Sequence, residues 1–122
     1  MPSLLVIDDS PLVRRLVQHA LGGEGGWLVY EAESGESGIE VAARERPDAI
    51  LLDVEMPGLS GPQTLTDLRA REPTREVPVV FLTGLSADTQ PSDLIAVGAD
   101  GVIAKPFDPA SLASEVAGVL GW

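Results

Sequence analysis

Four apolar runs in this chain each stop at residues whose side chains can do chemistry. Leu4-Leu5-Val6-Ile7 stops at Asp8-Asp9, Ile50-Leu51-Leu52 at Asp53, Val79-Val80-Phe81-Leu82 at Thr83-Gly84, and Val102-Ile103-Ala104 at Lys105-Pro106. Brought together, these ends would supply three carboxylates, a hydroxyl and an ammonium. Carboxylates crowded in one place raise one another's pKa unless a cation is present. The single ammonium leaves two negative charges, which one divalent cation balances. Every available ligand atom is oxygen, and no Cys exists in the chain, so the hard ion Mg2+ is favoured over zinc or copper.

A metal beside a carboxylate, a lysine and a hydroxyl suits phosphoryl transfer. The equatorial oxygens of the moving phosphoryl group need positive charge or donors, and Mg2+, the Lys105 ammonium and the Thr83 hydroxyl supply one each. Asp53 would then be the nucleophile, forming an acyl phosphate, with Gly84 leaving space for the incoming donor. An aspartate that ends one strand is ordinarily a turn former or a helix cap. The recurrence of the same event at four strand ends is what singles Asp53 out. The chain's seven other bases are all arginine, and its only lysine stands at a strand end, followed by Pro106.

Positioning these residues requires a parallel sheet. Segments long enough for helices separate the apolar runs, a β-α repeat that predicts strands pointing the same way with helices on both faces. Right-handed crossovers put all the C-terminal strand ends on one edge, where open sheets of this kind bind ligands. Ser10-Pro11 predicts an N-cap and first turn, followed by a helix with Leu12, Val13, Leu16, Val17, Ala20 and Leu21 on its apolar face. Arg14, Arg15, Gln18 and His19 fall on the polar face, and Gly22-Gly23 ends the helix. Trp27 to Ala32 has the mixed character of an edge strand. Helices are expected at about 36–45, with Ile39, Ala42 and Ala43 inward, at 61–71, near 92–97 with Pro91 in or before the first turn, and at 109–120. A strand is expected at 77–82. The run Ser34 to Gly38 lacks the spacing and lysine of a phosphate-cradling loop, and His19, the only histidine, is expected to be a solvated surface residue.

At 122 residues the chain is expected to be one domain, with core enough to need neither metal nor disulfide staples. Nineteen acids against eight bases give a formal charge of −11, which argues against binding nucleic acid or an anionic membrane. Such a surface suits cations or basic partners, and it also keeps a small domain soluble. With no signal segment, no spanning run and no cysteine, the protein is expected to be soluble and cytoplasmic.

The pair Asp8-Asp9, the run Leu51-Leu52-Asp53-Val54-Glu55-Met56-Pro57-Gly58, the strand end Phe81-Leu82-Thr83-Gly84, and Gly98-Ala99-Asp100 followed by Lys105-Pro106-Phe107 together resemble the receiver domains of bacterial two-component response regulators. The resemblance covers the whole chain, 1–122, read as one receiver domain, and no output domain is expected. It implies a flavodoxin-like α/β fold with a five-stranded parallel sheet of order 2-1-3-4-5 and five helices. It also implies that Asp53 takes a phosphoryl group from a histidine kinase or a histidine phosphotransfer protein. Asp9, Asp53 and the backbone carbonyl of Glu55 would ligate Mg2+, with Asp8 acting through a bridging water, and Thr83 and Lys105 would hold phosphoryl oxygens. The output would be another, unidentified protein, and the only catalysis the chain's own phosphorylation and dephosphorylation.

Two positions stand apart from the family pattern. Where the family carries an aromatic residue three positions before the lysine, this chain has Val102, so the signal reaching the face of the fourth helix, fifth strand and fifth helix is expected to be altered or smaller. Glu55 follows the phosphoacceptor by two residues and is expected near the path of an attacking water, where it would change the lifetime of the acyl phosphate. The competing readings are a Mg2+-dependent phosphatase with an aspartyl nucleophile, for which the chain is short of a cap or substrate pocket, a receiver-like module used only for protein binding, and a flavin-binding module. The last is disfavoured by two acids where a cofactor phosphate would sit.

Overall fold

The computed structural model describes residues 2–24, 26–84 and 91–122. Strands β1 (Ser3–Ile7), β2 (Leu28–Ala32), β3 (Ala49–Asp53), β4 (Val79–Thr83) and β5 (Gly101–Ala104) form one sheet in the order β2-β1-β3-β4-β5, every pair parallel. Between and after them run α1 (Pro11–Val17), α2 (Gly35–Glu45), α3 (Gly61–Ala70), α4 (Pro91–Ala96) and α5 (Leu112–Leu120). The expected flavodoxin-like order and five helices are found.

Alternation along the strands divides the core in two, because successive side chains point to opposite faces. Leu4, Val6, Leu51, Val80 and Leu82 pack with Val17 of α1 and with Leu112 and Val116 of α5. Leu5, Ile7, Ile50, Leu52 and Phe81 pack with α2, α3 and α4 on the other face. The central strands are therefore apolar at nearly every position, and β2, with Leu28 and Glu31 exposed, is the edge expected of it.

Several boundaries differ from the sequence expectation. The first helix leaves α geometry after Val17 and continues as a π-helix over Gln18–Glu24, so Gly22-Gly23 lies within a wider coil. Leu12 is 63% exposed, and the apolar face of α1 is carried inward by Val17 with Ala20 and Leu21 of the π segment. Ala43 is only half-buried, and Gly35 and Gly38 join Ile39 and Ala42 on the buried face of α2. The last strand before α4 starts at Val79, and α5 starts at Leu112 after a turn. Pro91 is the first residue of α4.

Candidate functional site

The site is built on strand ends held by short caps. Ser10 Oγ accepts from the Val13 N–H (3.3 Å) and so starts α1 directly after the acidic pair. After Asp53 the chain leaves the sheet, turns at Gly58 with φ +76°, and starts α3 at Gly61. A Cβ on Gly61 would run into the Asp53 carbonyl oxygen and the Val54 Cα, so only glycine lets α3 begin this close to the end of β3. Ser60 and Gln63 close a reciprocal capping box there, visible in the sequence as a Ser with Gln three residues later.

At this edge Asp8, Asp9 and Asp53 each offer a carboxylate oxygen, all within 4.8 Å of one another. Asp8 is fully buried and Asp53 nearly so, whereas Asp9 is exposed. Lys105 reaches across from the end of β5 and donates to Asp8 Oδ2 at 2.8 Å and to Asp53 Oδ1 at 3.1 Å. The Ser10 N–H donates to Asp8 Oδ1 at 2.9 Å. Burial and the Asp8 charge push the Asp53 pKa up, against the pull of the Lys105 charge and of hydrogen bonds from Lys105 and the Glu55 backbone. Burial draws the Lys105 pKa down, but its hydrogen bonds to Asp8 and Asp53 and their charges more than reverse this and leave it raised.

The other expected residues take up mixed positions. Thr83 is buried at the end of β4, but its hydroxyl donates to the Gly84 carbonyl (2.8 Å), while its own carbonyl accepts from the Lys105 N–H (2.7 Å). Gly84 is exposed, and among the described residues a Cβ there would meet nothing within 4 Å. The Glu55 side chain is exposed, and its backbone supplies a hydrogen bond to Asp53. The Lys105-Pro106 peptide is cis, with Pro106 exposed. Val102 is half-buried in register with Phe81. Arg14, placed by helical spacing on the polar face of α1, turns inward onto the Asp8 carbonyl. His19 is exposed, as expected.

Comparison with known proteins bears on what this edge is. The family model described as the response regulator receiver domain matches residues 4–117. The chain belongs to the response regulator receiver domains. This receiver is 36% identical over 114 residues to the transcriptional regulatory protein YvrH of Bacillus subtilis, covering 93% of this chain and 47% of that protein. It is 33% identical over 118 residues to the phosphate regulon transcriptional regulatory protein PhoB of Pseudomonas aeruginosa, covering 97% and 51%. The chain thus spans about half the length of the curated relatives it matches. Among solved structures, the Vibrio cholerae chemotaxis protein CheY4 superposes with a TM-score of 0.87 at 31% identity, over 98% of each chain. The receiver domain of the sensor histidine kinase PA1611 of Pseudomonas aeruginosa, solved with a magnesium ion coordinated in its active site cleft, gives 0.86 at 28% identity, over 99% and 98%.

Receiver domains act as signalling switches that accept phosphoryl groups from histidine kinases, and they bind Mg2+ at an acidic aspartate cluster. No helix among the described residues is long and apolar enough to cross a membrane.

Proposed function

We propose that this receiver is a phosphorylation-controlled switch in which Asp53 accepts a phosphoryl group from a phosphohistidine donor. The observation that carries the reading is the three-way convergence of Asp8, Asp53 and the only lysine of the chain at one strand edge. An oxygen of the Asp53 carboxylate attacks phosphorus, the new O–P bond forms as the P–N bond to the donor imidazole breaks, and the electron pair leaves with the imidazole nitrogen. Lys105 then holds one phosphoryl oxygen. The Thr83 hydroxyl turns from the Gly84 carbonyl to hold a second, and Gly84, with no side chain, leaves room for the donor.

The three clustered carboxylates, with no nitrogen or sulfur ligand among them, are a donor set for a hard cation. Asp9, Asp53 and the backbone carbonyl of Glu55 would hold Mg2+, with Asp8 reaching it through a bridging water. When bound, Mg2+ neutralises charge on the phosphoryl oxygens. The exposed Glu55 side chain lies two residues past the phosphoacceptor and tunes the lifetime of the acyl phosphate. Catalysis is confined to the chain's own phosphorylation and dephosphorylation.

The donor is a histidine kinase or histidine phosphotransfer protein. An apolar groove of about 310 Å3 lined by Leu12, Val13, Leu16, Pro106 and Phe107 opens beside Lys105, whose ammonium bonds Asp53, and offers the donor an apolar seat next to the site. The downstream recipient is another protein.

The test is phosphorylation by a small acyl-phosphate donor with Mg2+, read by intact mass. One phosphoryl group on the wild type, absent from Asp53→Asn and lost with a chelator, is the expected result. Uptake that persists in Asp53→Asn or without Mg2+ would overturn the reading.

A further inference from the structure

Asp8 has every polar group committed. Its carboxylate oxygens take Lys105 and the Ser10 N–H, its own N–H donates to the Ala32 carbonyl (3.1 Å), and its carbonyl accepts from Arg14 Nη1 at 2.7 Å. That last bond is short and charge-assisted, which puts it among the stronger hydrogen bonds of the site. It falls just past the end of β1, where the Asp8 carbonyl has left the strand ladder. The Asp8 carbonyl and the Asp9 N–H share one peptide plane. Whatever fixes that carbonyl therefore fixes the direction in which exposed Asp9 leaves the strand.

Arg14 is itself held in place. Its side chain is 16% exposed, and its Nε lies 3.3 Å from Glu31 Oε1 on β2, so one guanidinium joins α1, β2 and the turn after β1. Two nitrogens of the same rigid planar fork reach two partners on different elements, a fixed donor spacing that the compact ammonium of a lysine does not reproduce.

From this geometry we infer that Arg14 is a positioning residue for the metal pair: it orients the Asp8–Asp9 peptide so that Asp9 faces the carboxylates of Asp8 and Asp53. The inference rests on the proposed Mg2+ site. It makes a prediction opposite in sign to simple electrostatics. A positive group beside an acidic cluster repels Mg2+, so removing it would tighten binding if charge alone mattered; if Arg14 orients Asp9, removing it weakens binding.

The test is Mg2+ titration by calorimetry of the wild type, Arg14→Met, which keeps most of the apolar stem, and Arg14→Lys, which keeps the charge. Residues that orient metal ligands through hydrogen bonds typically change affinity by about tenfold or more when replaced, and a loss of about that size is expected for Arg14→Met, with Arg14→Lys only partly recovered. The backbone amide resonance of Asp9 in the metal-free protein should move in both variants, a readout that needs neither metal nor activity. Urea unfolding of both variants separates this effect from loss of the fold, and Arg14→Lys carries the test alone if the methionine variant does not fold. Mg2+ binding that is unchanged or tighter, with the Asp9 amide in place, overturns the inference alone. A wild type that takes up no Mg2+ overturns the site reading and this inference with it.

Discussion

The ammonium of Lys105 lies 3.1 Å from Oδ1 of Asp53, at the ends of two strands that are not neighbours in the sheet. It reaches there past β4, and on the way it also holds fully buried Asp8. This one cation keeps two crowded carboxylates from facing each other unpaired.

Lys105→Met should therefore destabilise the metal-free protein, by about 3 kcal/mol if the cost of leaving buried charges without a partner applies in full. Adding Mg2+ should restore more stability to the variant than to the wild type, because the ion replaces the missing charge. Urea unfolding with chelator and with Mg2+ measures both. A variant as stable as the wild type in chelator would mean that the lysine contributes no net stabilisation.

The raised pKa of Asp53 gives a pH dependence opposite to that of an ordinary ion-paired aspartate. Because the folded state holds this proton more tightly than the unfolded chain, ionising Asp53 costs stability. The cost is complete above the folded pKa, shrinks as pH falls through it, and is gone below the unfolded value. In chelator, Asp53→Asn should be more stable than wild type at neutral pH, with the gap closing on acidification. Lys105 acts at the other end. Its raised pKa contributes stability that is complete below the ordinary lysine value and lost as pH rises through the folded one. Thermal unfolding from acid to alkaline pH checks both limbs, and an Asp53→Asn variant that is less stable at neutral pH would contradict the first.

Val102 is half-buried beside fully buried Phe81, its partner in the β4–β5 register. With valine there, no large ring is available at this position to swing inward when Thr83 moves. Phosphorylation should shift the amide resonances of Thr83 and Lys105 strongly and those of α4, β5 and α5 weakly, with Val102→Tyr enlarging the second set. Repacking of that whole face in the wild type would contradict this.

How much of this was legible in the sequence depended on the range of the interaction. Asp8, Asp53 and Lys105 could be brought together in advance because parallel topology gathers strand ends whatever the details of packing. Leu12 could not be placed, since helical period marks an apolar face without telling which of its residues lie beyond the sheet. The π segment gave no warning, as Gly22-Gly23 is the usual mark of a helix end. Arg14 was hidden for a different reason: its partners are a backbone carbonyl six residues earlier and an acid on another strand, which no side-chain pattern along α1 encodes. Thr83 was expected to face the site, yet its hydroxyl is turned to the adjacent carbonyl.

The most direct measurement is to map the phosphorylated residue. Borohydride reduces an aspartyl acyl phosphate to homoserine, so the wild type should be treated with Mg2+ and a small acyl-phosphate donor, reduced, digested and sequenced by mass spectrometry. Homoserine at position 53, and at no other aspartate, is the result expected of this site. Conversion at Asp8 or Asp9, or phosphate recovered on His19, would contradict the assignment of Asp53 as the phosphoacceptor.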